Sequence, residues 1–131
     1  MSISPFEERY KTDMNAVFDD TVKLKKWMLV EVALAKAHAQ LGSIPKDVPA
    51  KLEAAANKVK FERVIEIESQ IHHDLMAMVK ALTEQASDAG KYVHLGATSY
   101  DIEDTATALR MRQAANIIID AIKLGAITFI T

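Results

Sequence analysis

The sequence predicts an all-α fold, and three observations support this prediction. Helix-start and helix-stop signals alternate along the chain, with Ser, Thr or Asp before apolar runs and Gly or Pro after them. Within those runs, apolar residues recur at steps of three and four, which is the repeat of one face of an α-helix. No segment alternates apolar and polar residues in the way that a sheet would need. We therefore expect helices joined by short connections.

The first long helix is delimited by signals at both ends. Asp19, Asp20 and Thr21 offer an N-cap and an acidic first turn. The segment VKLKKWMLVEVALAKAHAQL follows, and Gly42 with Pro45 beyond it provides the stop. These signals predict a helix of roughly six turns.

The middle of that helix, from Trp27 to Ala35, is apolar on nearly every side and is broken mainly by Glu31. A helix that is apolar all round is usually buried all round, and a domain this small can hardly surround it. We therefore expect association with further protein through this helix and through the last one. The apolar residues expected at those interfaces are Trp27, Met28, Val30 and Leu34 on the first helix and Ile117, Ile118 and Ile122 on the last.

Four more helices are predicted after the first. A short one follows Asp47, with Pro49 in its first turn, and FERVIEIES forms another. DLMAMVKALTEQA is predicted to begin at an Asp74 N-cap and to be stopped by Gly90. KYVHLGA is a linker, and the last helix begins at residues 98–99.

Composition excludes several classes of protein. The chain has 131 residues, half of them apolar, and a net charge of −2, so it lacks the basic excess of a nucleic-acid-binding protein. It contains no cysteine, which excludes a disulfide framework and a thiolate metal site. The polar N-terminus is unlike a signal peptide, and the most apolar run carries charges and is too short for a membrane span. We expect a cytoplasmic protein with no membrane or nucleic-acid partner.

Two of the predicted helix starts combine a capping side chain with a neighbouring histidine. Free backbone N–H groups at a helix N-terminus attract anions, and flanking hydroxyls add donors. A histidine beside them can donate a hydrogen bond or move a proton near neutral pH. Gly96 lets the backbone turn sharply and lets a ligand approach closely. If the two starts converge, they form a pocket for a ligand with several negative charges; its residues are His72, His73 and Asp74 at one start and His94, Thr98 and Ser99 at the other.

The same residues also have plainer interpretations. Most Ser, Thr and Asp caps bind nothing, and His72 beside His73 is compatible with an ordinary surface turn. A zinc site built from the histidines and the aspartate of the two starts matches no spacing typical of zinc ligands. His38, seven residues after Glu31, is expected in the core or at an interface rather than in catalysis. The residues alone leave an anion site and a set of independent caps both open.

Taken in order along the chain, several segments resemble the N-terminal part of the adenylosuccinate lyases, a family in the fumarase/aspartase superfamily. The similar segments are ERYKTDM, WMLVEVALAKAHAQLGSIP, FERVIEIESQIHHDLMAMVKAL and HLGATSYDIEDTATALR. Their order and separation are specific even though no single segment is decisive. A cycloisomerase branch that acts on carboxymuconate shares GATS-x-D but is not expected to share the ERY start or the His–Asp pair. That branch is the alternative.

The resemblance implies a lyase that releases fumarate from adenylosuccinate to give AMP, and from the succinylocarboxamide intermediate of purine biosynthesis. It implies no metal or organic cofactor, a small-molecule nucleotide substrate, and a homotetramer whose active sites draw on more than one subunit. His73 corresponds to the family's active-site histidine. The positions that correspond to substrate-binding residues are Arg9 and Tyr10 for the phosphate, Thr98 and Ser99 for the succinyl carboxylate, and also His72, Asp74 and His94.

The resemblance also implies a division of the chain. Residues 1–97 are expected to form the N-terminal helical domain of the lyase fold. Residues 98–131 are expected to be the truncated beginning of a central helical bundle. A later histidine and a serine-bearing loop of the family have no counterpart here, so we expect the 131-residue chain alone to be inactive. A non-catalytic helical assembly module is the remaining alternative.

Overall fold

The computed structural model describes residues 9–130, with side chains described for residues 9–127. Six α-helices and one short 3-10 helix follow one another from Asp13 onward, and this part of the chain contains no strand. The prediction of an all-α fold is confirmed. The helices are α1 (Asp13–Phe18), α2 (Asp20–Gln40), α3 (Val48–Ala56), α4 (Phe61–Ile71), α5 (Asp74–Gln85), the 3-10 helix (Ser87–Tyr92) and α6 (Ser99–Ile130).

Helix α2 is the element on which most of the others pack, because it contacts α1, α3, α5 and α6. Its N-cap is Asp19, whose carboxylate accepts the backbone N–H of Thr21 at 2.8 Å. Just past its end, Gly42 has a φ of 76°, a left-handed conformation that glycine adopts without a steric penalty. Both predicted bounds of this helix are confirmed.

The hydrophobic core lies between α2 and the helices that surround it. Among its largest fully buried side chains, three come from α5, more than from any other helix. Residues three or four positions apart on α5 all face inward, as the spacing of its apolar residues predicts. The largest of these buried apolar side chains are Leu52, Leu75, Met78, Leu82 and Ile102.

The expectation of an exposed interface on α2 is wrong for its central residues. Trp27 and Met28 are each only 5% exposed, because α3, α5 and α6 pack around α2 within this chain. On α6, Ile118 and Ile122 are 52% and 65% exposed and Ile117 is half-buried, and association through this helix stays a prediction. The second half of α6 therefore carries apolar side chains that the rest of the described chain leaves uncovered. None of the described helices combines the length and apolarity that crossing a membrane requires.

Both predicted bounds of α5 need correction. Its N-cap is His73 rather than Asp74, because His73 Nδ1 accepts the backbone N–H of Met76 at 3.4 Å. Asp74 is the first helical residue, and its carboxylate accepts the N–H of Leu75 at 2.8 Å. The helix ends at Gln85, before Gly90.

Gly90 has a different role from the predicted helix stop. It lies inside the 3-10 helix, where a Cβ would stand 2.8 Å from Thr83 Cγ2 and 2.9 Å from the Thr83 carbonyl oxygen. The glycine thus allows the connection to lie directly against α5. The segment KYVHLGA, predicted as a linker, begins as part of this 3-10 helix.

A leucine pair tests the placement of the core. Leu82→Ala removes a side chain with no exposed surface, so we expect the free energy of unfolding to fall by about 2–5 kcal/mol. Leu41→Ala makes the same chemical change at a side chain that is 79% exposed, and should alter that free energy by less than about 0.5 kcal/mol. Urea denaturation of both variants measures the difference. Equal losses would contradict the core described here.

Candidate functional site

The start of α6 brings Thr98 and Ser99 to the end of the connecting loop, as predicted. The backbone N–H of Thr98 donates to the Asp101 carboxylate at 2.9 Å, so Asp101 serves the first turn of its own helix. Thr98 is exposed and Ser99 is half-buried. An anion at this helix start would therefore rely on the hydroxyls and the remaining N–H groups, because Asp101 already uses one donor.

The loop before α6 is held by a buried carboxylate on α2. Glu31 is only 1% exposed, and its two oxygens both contact His94. The His94 backbone N–H donates to Oε2 at 2.9 Å, and the ring Nδ1 lies 2.7 Å from Oε1. Glu31 is not among the site residues predicted from the sequence. The sequence did contain a signal for this contact, namely a lone glutamate within an apolar helix. A charge at such a position is buried and therefore requires a partner.

A second side chain of α2 holds the same loop one residue further on. His38 Nε2 lies 2.9 Å from the carbonyl oxygen of Leu95, and a carbonyl only accepts, so Nε2 carries the proton. The ring also faces Gly96, whose φ is 71° and whose added Cβ would lie 3.9 Å from His38 Nε2. His38 thus joins α2 to this loop, as a residue expected in the core or at an interface can do.

The start of α5 holds the second group of predicted site residues. His72 ends α4 in the left-handed region, with a φ of 53°, and is exposed. His73 Nδ1 lies 3.9 Å from the nearer Asp74 carboxylate oxygen, and both side chains are about half exposed. Because His73 Nδ1 accepts the Met76 N–H, the neutral ring carries its proton on Nε2 and can donate from there.

Glu103 on α6 connects the two helix starts electrostatically. Burial raises the pKa of its carboxyl above the usual 4.5, and the negative charge of Asp74 raises it further, while His73 lowers it. The first turns of α6 therefore run close to the start of α5. A single cleft lined by both helix starts, with His73 facing Thr98 and Ser99, stays a prediction.

The remaining predicted site residues lie at the N-terminal edge of the described chain. Arg9 and Tyr10 are both exposed. A cavity of about 230 Å³ lies near α5, between α2 and α4, and includes Asp74 together with Lys23 and Trp27. Among the described residues, no three His, Asp or Glu side chains are arranged so that they could hold a metal ion.

A protein family described as lyase matches residues 8–125, and the chain therefore belongs to that family. A relative from Pyrococcus horikoshii named adenylosuccinate lyase is 49% identical over 121 residues, which are 90% of this chain and 27% of the relative.

Two solved structures resemble the fold. A fumarate lyase from Mesorhizobium sp. BNC1 superposes with a TM-score of 0.73 at 37% identity, over 80% of this chain and 25% of that one. The β-carboxy-cis,cis-muconate cycloisomerase from Acinetobacter calcoaceticus sp. ADP1 superposes with a TM-score of 0.77 at 33% identity, over 86% of this chain and 28% of that one. The chain thus spans about a quarter of the length of these relatives.

The raised pKa of Glu103 predicts a stabilising substitution at this site. A carboxyl whose pKa is higher in the folded state opposes folding at neutral pH and ceases to do so once it is protonated. We therefore expect Glu103→Gln to raise the Tm by a few degrees at pH 7. The gain should shrink as the pH falls through the raised pKa towards the usual 4.5.

Thermal melts over a range of pH measure this effect, with Glu62→Gln as the matched control. Glu62 is an exposed glutamate in the first turn of α4, so its substitution should bring no gain in Tm. A Glu103→Gln variant that is less stable than the wild type at pH 7 would contradict the electrostatic account.

Proposed function

We propose that this chain is the N-terminal part of an adenylosuccinate lyase, which eliminates fumarate from adenylosuccinate to give AMP. The same enzyme would release fumarate from the succinylocarboxamide intermediate of purine biosynthesis. The observation that carries the proposal is the 49% identity to the Pyrococcus horikoshii enzyme over 90% of this chain. The proposed substrate is a small nucleotide, and no part of the proposal requires a nucleic acid or a membrane.

The chemistry of such an elimination fits the residues at the two helix starts. A base removes a proton from the carbon next to a carboxylate, the carbon–nitrogen bond breaks, and the departing nitrogen receives a proton. Negative charge builds up on that carboxylate in the transition state, and hydrogen-bond donors fixed in advance stabilise it. The hydroxyls of Thr98 and Ser99 and the free N–H groups at the start of α6 are donors of this kind.

The individual residues are proposed either to take part in the reaction or to bind the charged groups of the substrate. His73 is proposed as the catalytic histidine, since its neutral ring can present the Nε2–H to the substrate as a hydrogen-bond donor. The Arg9 guanidinium suits a nucleotide phosphate, because its planar donors match paired oxygens. The residues proposed to bind substrate are Arg9, Tyr10, His72, Asp74, His94, Thr98 and Ser99.

The proposal extends to the assembly of the enzyme. Residues 1–97 would form its N-terminal domain, and residues 98–131 would begin a central helical bundle in a cytoplasmic homotetramer. The exposed isoleucines Ile118, Ile119 and Ile122 on the second half of α6 support this, because a bundle of long helices buries apolar side chains of this kind.

A second candidate is a carboxymuconate cycloisomerase. Its support is the superposition on the Acinetobacter calcoaceticus enzyme, which has a TM-score of 0.77 over 86% of this chain. The third possibility, a helical assembly module without chemistry, would use the same fold and the same exposed α6 surface. Substrate choice separates the three.

Fumarate release tests the proposal. We expect the 131-residue chain alone to show only background release from adenylosuccinate, because elimination needs both a base and an acid in reach of the substrate. Co-expression with the remainder of the Pyrococcus horikoshii enzyme beyond the matched region should restore release. In that assembly, Ser99→Ala should lower kcat by about 10²-fold, as expected for the loss of one donor to developing charge.

The matched control is Ser69→Ala, which removes a hydroxyl that only donates to the Glu66 carbonyl on the surface of α4. It should leave kcat unchanged. Turnover of carboxymuconate in place of adenylosuccinate would favour the second candidate. An assembly that forms but converts neither substrate would favour the non-catalytic module.

A further inference from the structure

The carboxylate of Glu31 is the one buried charged side chain among the described residues. Burying a carboxylate costs several kcal/mol unless partners compensate for the lost hydration. Both of its oxygens are satisfied by one residue, His94, which lies 63 positions further along the chain. The His94 side chain is itself only 14% exposed. The contact is therefore a shielded pair rather than a surface ion pair.

The chemistry of this pair fixes where the His94 proton lies. Imidazole is a stronger base than a carboxylate, so the proton between Nδ1 and Glu31 Oε1 belongs to Nδ1. The 2.7 Å separation is typical of a hydrogen bond to a charged oxygen. With Nδ1 committed to Glu31, Nε2 of the neutral ring bears a lone pair and is the only nitrogen that can meet a ligand.

The backbone contact adds a second constraint on the same residue. His94 has a φ of 60°, a left-handed conformation that residues other than glycine seldom adopt. Its N–H donates to Glu31 Oε2, so the carboxylate holds the strained backbone and the ring together. Thr98, four residues after His94, is the last residue before α6. Glu31 therefore fixes the conformation of the loop that leads to the hydroxyls of Thr98 and Ser99.

We propose that Glu31 is a positioning residue that holds His94 in the Nδ1–H tautomer, so that Nε2 accepts a proton or a hydrogen bond beside the start of α6. The catalytic meaning of this assignment rests on the proposed lyase function, whereas the tautomer does not. The assignment makes the two site histidines complementary. His73 has its proton on Nε2 and donates from there, while His94 presents a lone pair at the same atom.

A glutamine at position 31 separates this role from simple support of the fold. The new carboxamide can keep both contacts only in one arrangement, with its oxygen accepting the His94 N–H and its nitrogen donating to Nδ1. That arrangement forces the proton of His94 onto Nε2. Glu31→Gln should therefore preserve the helices and reverse the tautomer.

Nitrogen-15 NMR of the imidazole rings at pH 8, on the histidine-labelled 131-residue chain, reads the tautomer directly. The His94 signals are identified by their loss in His94→Gln. We expect a protonated Nδ1 and a bare Nε2 in the wild type, and the reverse in Glu31→Gln. Glu53→Gln, at an exposed glutamate paired with Lys36, is the control and should leave the His94 signals unchanged.

Several results would overturn the proposal. A wild-type His94 with its proton on Nε2, or with both nitrogens protonated at pH 8, would do so, as would an unchanged tautomer in a folded Glu31→Gln variant. If that variant fails to fold, the wild-type tautomer alone still decides. In the co-expressed assembly, Glu31→Gln should lower kcat at least about tenfold with little change in KM. Absence of fumarate release from every variant would reject the lyase function and leave the tautomer result standing.

Discussion

The contact between Glu31 and His94 couples the central helix to the loop on which the candidate site depends. Removing the partner of a buried charged group typically costs about 3–5 kcal/mol, because the remaining charge is left without hydration or hydrogen-bond donors. That is a large fraction of the stability of a small domain. The left-handed backbone at His94 persists because this contact opposes its return to a relaxed conformation.

Helix α2 gives the site a rigid base. Glu31 and His38 lie two turns apart on one face of α2, and they hold successive residues of the loop, one through the side chain and N–H of His94 and the other through the carbonyl of Leu95. Helices α3, α5 and α6 also pack against α2. Because packed helices move little, the loop contacts of α2 fix the position of the start of α6 relative to the core.

The geometry of the helix starts also limits what this part of the protein can do by itself. Asp101 already occupies the Thr98 N–H, and Asp74 adds negative charge near Glu103. A ligand with several negative charges would need cationic groups to offset these carboxylates, and Arg9 is the cationic residue proposed to bind substrate. The chain spans about a quarter of the length of the relative from Pyrococcus horikoshii.

The amino-acid sequence by itself determined the helices and most of their bounds, because capping, glycine stops and apolar spacing act within three or four residues. It placed Asp19 at the start of α2 and residues 98–99 at the start of α6 correctly. Its errors at α5 came from competition between neighbours, since His73 and Asp74 can both cap and only the folded backbone selects one. The burial of Trp27 and the pairing of Glu31 with His94 were decided by tertiary structure alone, because both depend on contacts between segments far apart in the chain, which no local pattern encodes.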